Sequence, residues 1–325
     1  MSIEKNEWLF EKVGKNQIFE REGWFIWGGS VCKEEDTYYL IVSAWEKKYG
    51  FTGWVCHSTV LLAAAEKPEG PFRFIREMEE LKQQNWSNEV LHNPTIHRIG
   101  QTYYLFYVGT NGVTGKQNFD QNHLHEKYRY NQKIGVASGT TLLEKLIPYE
   151  HNPILEPSNE SWDNTYVTNP SVLVKNNEII LVYKSLIKEE LPEIVMKLGV
   201  AKSNSPLGPY QRIFDRPVID ENIEDPYLWE QNGTYYMLVK DMTGTLAGQP
   251  NETVLYQSKD GISWDQNCIR AFGTDICWED GTRNYSNVER PQLYIEHGVP
   301  KCLYNAVGDL PERSFHLSRR LRYEE

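Results

Sequence analysis

One motif occurs five times along this chain, and that repetition limits the fold more than any other feature. The five copies are "WGGSVCKEEDTYYLIVSAW" (27–45), "HNPTIHRIGQTYYLFYVGT" (92–110), "TNPSVLVKNNEIILVYKSL" (168–186), "EDPYLWEQNGTYYMLVKDM" (224–242) and "ERPQLYIEHGVPKCLYNAV" (289–307). Each opens on a polar or small pair, usually followed by proline, and continues as an apolar strand. A turn with Gly, Asn or charge follows, then a second strand rich in Tyr, Leu and Val. With Gly28, Asn93, Asn169, Asp225 and Arg290 as equivalent positions, the steps are 65, 76, 56 and 65 residues. A third strand follows each pair, at 58–72, 133–149, 196–210, 253–264 and 314–323. Five units of three or four strands predict an all-β fold, a five-bladed β-propeller, as one domain over residues 1–325 with blades starting near 27, 92, 168, 224 and 289. Residues 1–20 are expected to help close the ring, and "EMEELKQQ" (77–84) to form a short helix. A two-sheet sandwich accommodates five matched units poorly.

Composition narrows the partners. The 325 residues are 40% hydrophobic and 24% charged, ordinary for a globular chain with an ample core. No run reaches the roughly 18 apolar residues of a membrane span, and the opening "MSIEKNEWLFEKVGKNQ" has no apolar core of a secretory signal. A cytoplasmic location is expected on that reading. The net charge of -11, without a basic block, argues against nucleic acid and anionic membranes as partners. Five scattered cysteines without a C-x-x-C suggest neither a disulfide framework nor a zinc site. "HLH" (123–125) lies in a polar insert with no third ligand placed near it, so no metal site is assigned. No phosphate loop, nucleophile elbow or zinc-protease motif is present. The residues set no oligomeric state.

In a propeller the innermost strand of each blade runs along the central channel, and its first residues surround one mouth. Side chains alternate along a strand, so one residue of each pair is expected to face the axis while its neighbour packs into the blade. The pairs Trp27/Gly28, His92/Asn93, Thr168/Asn169, Glu224/Asp225 and Glu289/Arg290 would then meet at one polar pocket. Hairpin return brings Lys184, Asn111 and Asp241 back to the same end.

These motifs resemble the five-bladed propeller glycoside hydrolases, the family-43-like group with its relatives in family 117 and among the invertases. The resemblance covers about residues 24–307 and rests on "WGGSV", "HNPTI", "NPSVL", "EDPYLW" and "ERPQL". It implies a glycosidase with catalytic acids drawn from different blades, a carbohydrate substrate, no required cofactor and room for a structural cation on the axis. The sequence departs from the family pattern at its first blade, where Gly28 stands in place of the usual general-base Asp. Asn93 stands where a pKa-setting Asp is common, and Asn169 lies in the region that supplies a catalytic Glu.

Glycoside hydrolysis needs a protonated acid and a carboxylate flanking the scissile bond. Asp225 is the candidate base or nucleophile, with Arg290 and Lys240 as the neighbours that keep it charged. Glu289 is the candidate proton donor, with Asp241 second and His92 third. Trp27 and Trp45 are candidate stacking platforms, with Trp24 behind them. Asn93, Asn169, Lys184, Glu224 and Arg290 are candidate contacts to sugar hydroxyls. The expected activity is exo-acting hydrolysis of a neutral or lightly substituted glycan end. The rival readings are a carbohydrate-binding propeller without turnover and a propeller lyase or phosphorylase.

Overall fold

The computed structural model describes residues 8–112, 125–186 and 195–323. Among the described residues, strands form five four-stranded sheets and one two-stranded hairpin. Blade one consists of Trp24–Glu34, Thr37–Glu46, Thr59–Ala65 and Arg73–Glu77, and blade two of Val90–Ile99, Thr102–Thr110, Lys133–Gly139 and Ile147–Pro148. Blade three is Thr168–Lys175, Glu178–Ser185, Lys197–Ser203 and Gln211–Arg212; blade four is Ile223–Gln231, Thr234–Asp241, Thr253–Ser258 and Ile269–Phe272. Blade five takes Asn287–Glu296, Val299–Asp309 and Arg313–Arg320 from the C-terminal end, and its outer strand, Ile18–Phe19, from near the N-terminus. Ile18 and Phe19 pair antiparallel with Leu317 and His316, which ties the two ends of the chain into one sheet. The hairpin Asp275–Trp278 and Gly281–Asn284 follows blade four. The segment expected to be a short helix is reduced to a 3-10 turn, Glu79–Lys82. No described helix is long and apolar enough to cross a membrane.

The second strands read as unbroken apolar runs because both faces of every blade are covered. Leu40 and Val42 pack toward blade five with Tyr304, while Ile41 between them packs toward blade two with Leu91 and Leu105. The same division recurs around the ring. Leu181 joins Val136 of blade two, and Ile180 and Val182 join Met237 of blade four. Trp229 and Leu238 join Leu303 and Phe315 of blade five. The hydrophobic core is therefore five wedges between blades rather than one central mass, and the axis is left for polar groups.

The inner strands share one irregularity. In each, the register slips by one residue near its start: between Trp27 and Gly29, His92 and Thr95, Thr168 and Ser171, Glu224 and Tyr227, and Glu289 and Gln292. The extra residue of every bulge has a left-handed backbone: Gly28 (φ 39°), Asn93 (47°), Asn169 (53°), Asp225 (58°) and Arg290 (53°). Four of these five positions carry Gly, Asn or Asp, the residues that tolerate this region best. The following proline costs no ladder bond, since a bulge interrupts pairing there in any case. Gly28 is required twice over. Its φ is positive, and a Cβ there would stand 2.9 Å from both Cβ and Cγ of Arg290. Gly28→Ala should therefore lower stability by about 3 kcal/mol, read from the urea midpoint; a change below about 0.5 kcal/mol would show that Arg290 is not packed over Gly28.

Candidate active site

The bulges overturn the expected alternation at the blade mouths. A left-handed residue turns the chain so that consecutive side chains face the same side, and both members of a pair reach the pocket. Two stacked tiers result. Trp27, His92, Thr168, Glu224 and Glu289 line the cavity, and Asn93, Asn169, Asp225 and Arg290 line it below them. Gly28 completes the lower tier as a space filled by Arg290. The cavity measures about 360 Å³. A larger groove of about 1820 Å³ runs between the N-terminal segment and the outer parts of blades one and five, away from these residues.

The lower tier is a hydrogen-bonded chain across the axis. Asn93 Nδ2 donates to Asn169 Oδ1, Asn169 Nδ2 donates to Asp225 Oδ1, and the Arg290 backbone N–H donates to Asp225 Oδ2 at 3.0 Å. The Arg290 guanidinium lies 3.5 Å from Asp225 Oδ1. The Thr168 hydroxyl also donates to Asn169, and Ser43 Oγ accepts the Asn93 backbone N–H. Asp225 thus joins blades three, four and five, and both of its oxygens are occupied. Its side chain is 3% exposed, against 11% for Glu224 and 12% for Glu289.

The upper tier holds an ion-pair relay. Lys184 donates to Glu224 Oε2 at 2.7 Å, and Lys240 donates to Glu224 Oε1 at 3.2 Å. Lys240 also donates to Glu289 Oε1, which accepts a further bond from Asn287 Nδ2 at 2.6 Å. Sheet register explains the relay, since Glu224 pairs directly with Lys240. Burial alone would raise both glutamates, and the number of cations decides what happens next. An ammonium at about 4 Å contributes about 4 kcal/mol at an effective dielectric near 20, close to three pKa units. Burial raises Glu224, but Lys184 and Lys240 outweigh it and hold the carboxyl well below the usual carboxylate range. Glu289 is raised by burial; Lys240 offsets this only in part, because the Glu224 and Asp225 charges push the same way as burial. Burial lowers Lys184 and Lys240, yet their carboxylate partners leave both raised and charged.

The other acid candidates stand elsewhere chemically. Asp241 does return to the mouth end, opposite Ile223, but it does not line the cavity. It accepts the backbone N–H groups of Thr243, Gly244, Leu246 and Ala247, at 3.1, 2.9, 2.8 and 2.9 Å. Burial raises its pKa, those four donors together outweigh burial, and the net shift is downward. It is the hub of a loop and a poor proton donor. His92 lines the wall with Nδ1 2.8 Å from Ser58 Oγ, stacked at 5.1 Å on Trp54. Burial, with the Arg290 and Lys184 charges, pushes its pKa down to about 3, so it is neutral near pH 7 and not a cationic acid.

Trp27 lines the cavity and packs edge-to-face with Phe51, while Trp45 is fully buried and backs the wall with its Nε1 on the Gly50 carbonyl. Trp24 lies outside the lining, under Arg21. The lining also contains Phe51, Trp54, Arg129, Tyr166, Met196 and Asn251, none of them expected. Most of these come from connections between second and third strands, which in a propeller end at the mouth. "YGFTGWVCH" (49–57), with three aromatics among glycines in such a connection, was the available signal. His123 and the side chain of His125 lie outside the described residues. Among the described residues, Glu224, Asp225 and Glu289 form the acidic group able to hold a metal, with one oxygen from each within 4.8 Å of the others. The Lys240 ammonium already bridges two of them, so an axial cation here would have to displace it.

The fold is that of the five-bladed propeller glycoside hydrolases. The family model described as the glycosyl hydrolases family 32 N-terminal domain matches residues 139–279. Among solved structures, the chain is similar to a family 117 glycoside hydrolase from the marine bacterium Zobellia galactanivorans, at 12% identity and a TM-score of 0.66, covering 97% of this chain and 89% of that one. It is similar also to a thermostable family-43 glycoside hydrolase (13% identity, TM-score 0.62, 93% and 91% covered). A mutant α-L-arabinanase from Cellvibrio cellulosa aligns at 12% identity with a TM-score of 0.59, covering 92% of each chain. None of the curated proteins compared with the chain matches it.

Asp241→Ala should cost about 3 kcal/mol at neutral pH, since four backbone donors lose their acceptor. Because the folded pKa is lowered, the contribution is complete above the unfolded value and fades as pH falls through the folded one. Urea unfolding at pH 7 and below about pH 4 should show the gap between wild type and variant shrinking in acid; a constant gap would contradict the assignment.

Proposed function

We propose that this protein is an exo-acting glycoside hydrolase whose acid and nucleophile are Glu289 and Glu224. The observation that carries the reading is a pair of buried carboxyls on adjacent blades whose surroundings push their proton affinities in opposite directions. Such a split separates acid from base at one pH. Glu289, raised, keeps a proton to give to the departing glycosidic oxygen. Glu224, held ionised by two lysines, faces the anomeric carbon. Asp225, the earlier candidate for the anion, and Glu224 both have partners on each oxygen, but the Asp225 side chain is the more deeply buried, 3% exposed against 11% for Glu224, so Asp225 acts from below as a positioning residue. Lys240 touches both glutamates and can follow the charge as the proton leaves Glu289.

Two features support exo action. The cavity is at the small end of ligand pockets, which run from roughly 300 to 1,000 Å³, and the buried lower tier fills the axis beneath it. Aromatic groups on one wall and charged groups on the floor suit a terminal sugar ring, apolar on its face and polar at its edges. One oxygen of each carboxyl lies within 4.8 Å of the other, and both glutamates share the Lys240 ammonium; we read this closeness as favouring double displacement, in which the carboxyls stand roughly 5–5.5 Å apart, over inversion at roughly 6.5–9.5 Å. A non-catalytic sugar-binding propeller is the second reading, favoured by the fact that all three carboxylates already have cationic partners.

Screening aryl glycosides and plant or algal oligosaccharides should reveal turnover that Glu224→Gln lowers by about 10³-fold or more. Glu289→Gln should lose about 10²–10⁴-fold on substrates with poor leaving groups, and much less on aryl glycosides with acidic phenols, which need no proton. It should also remove the fall in kcat/KM as pH rises through the Glu289 pKa. Uniform losses across leaving groups would contradict the acid assignment. Sugar binding with no turnover in any protein would support the second reading.

Product stereochemistry is an independent check. Proton NMR of the first-formed sugar should show the anomeric configuration of the substrate retained, whereas inversion would contradict Glu224 as nucleophile.

A further inference from the structure

The pocket is cationic although the chain is strongly acidic. Four cationic side chains, Arg129, Lys184, Lys240 and Arg290, line it against three carboxyls, Glu224, Asp225 and Glu289. Three of the cations are held by those carboxyls: Lys184 by Glu224, Lys240 by Glu224 and Glu289, and Arg290 by Asp225. Arg129 has no carboxylate partner among the described residues. It lies on the wall near Tyr166 and Lys184 and over the Trp54 ring, with its Cζ 5.9 Å from the ring centroid. A guanidinium beside a second cation, in a pocket with no anion left to pair with it, calls for one from outside. An anionic sugar would meet that need and would be drawn in by the local field despite the net charge of -11.

We infer that the terminal sugar carries an anionic substituent, a carboxylate or a sulfate ester, and that Arg129 is the residue that recognises it. This rests on the glycosidase reading above and adds the substrate class. The planar fork of Arg129 pairs with two oxygens of either group. It stands on the side of the pocket marked by Lys184 and Tyr166, so the substituent sits away from the Glu289 side, where the leaving group is protonated. Of the neutral or lightly substituted glycan ends expected from the sequence, the inference selects one that carries an acidic substituent.

The test uses matched pairs of 4-nitrophenyl glycosides: glucuronide against glucoside, galacturonide against galactoside, both anomers of each, and 6-sulfogalactoside against galactoside. The wild-type protein should prefer the charged member of one pair by 10²-fold or more in kcat/KM. Arg129→Gln should abolish that preference, lowering kcat/KM for the charged member far more than for the neutral one, and Arg129→Lys should keep part of it. The carboxylate and sulfate arms tell the two sources apart. Equal turnover of charged and neutral members, or a preference that survives in Arg129→Gln, overturns the inference and leaves the glycosidase reading intact. If no member is hydrolysed, the glycosidase reading has failed, and titration calorimetry on the same pairs decides the inference alone. Selective binding of the charged member, lost in Arg129→Gln, supports it; equal or absent binding overturns it.

Discussion

The whole site depends on one backbone constraint, a left-handed residue at the mouth of every inner strand. Five such residues at equivalent places bend five strands in the same way, and each bend brings two neighbouring side chains toward the axis instead of one. Without the bulges, alternation would bury Glu224 or Asp225 in a blade, and likewise Glu289 or Arg290. The chain keeps these strained conformations because apolar wedges on both sides of every blade fix its second and third strands. The strain therefore sits where the packing is polar, at the place where chemistry is needed.

The lower tier also explains the absent acid of blade one. A carboxylate at position 28 would compete for space with Arg290, whose Cβ and Cγ cover Gly28. Blade five therefore supplies a cation over blade one, and Asp225 answers it from blade four. Negative charge at the mouth concentrates on blades four and five, where Lys184 and Lys240 divide it unequally. Glu224 has two ammonium partners and Glu289 shares one. That inequality, rather than burial, which both share, separates the two glutamates.

Much of the architecture was legible in the sequence, because repetition of a strand-turn-strand unit reports a geometric fact regardless of what each blade carries. The five pairs were legible too, as were Lys184, through hairpin return, and Lys240, as a neighbour of Asp225; Asn111, expected by the same return, does not line the cavity. What the sequence concealed was the conformation of Asp225: an Asp before a proline reads as a strand start, and its positive φ shows only in the register slip between Glu224 and Tyr227. The bend leaves the Asp225 side chain 3% exposed and that of Glu224 11% exposed, which is why the proposal places the reacting anion on Glu224. Asp241 looked like an acid at the mouth because pairing places it there, but the loop over 243–247 folds onto it with four donors. Trp54 and Arg129 belong to connections without repeat character, so no periodicity pointed to them.

The central claim is that the pocket shifts the proton affinities of the two glutamates in opposite directions. Carbon-13 NMR of side-chain carboxyls, in protein labelled at glutamate and assigned with Glu224→Gln and Glu289→Gln, tests it without any substrate. The account predicts one resonance, lost in Glu224→Gln, that stays ionised across the accessible pH range. It predicts a second, lost in Glu289→Gln, that titrates above the ordinary glutamate value. Two resonances titrating together in the ordinary range, or Glu224 taking up its proton at a higher pH than Glu289, would contradict it.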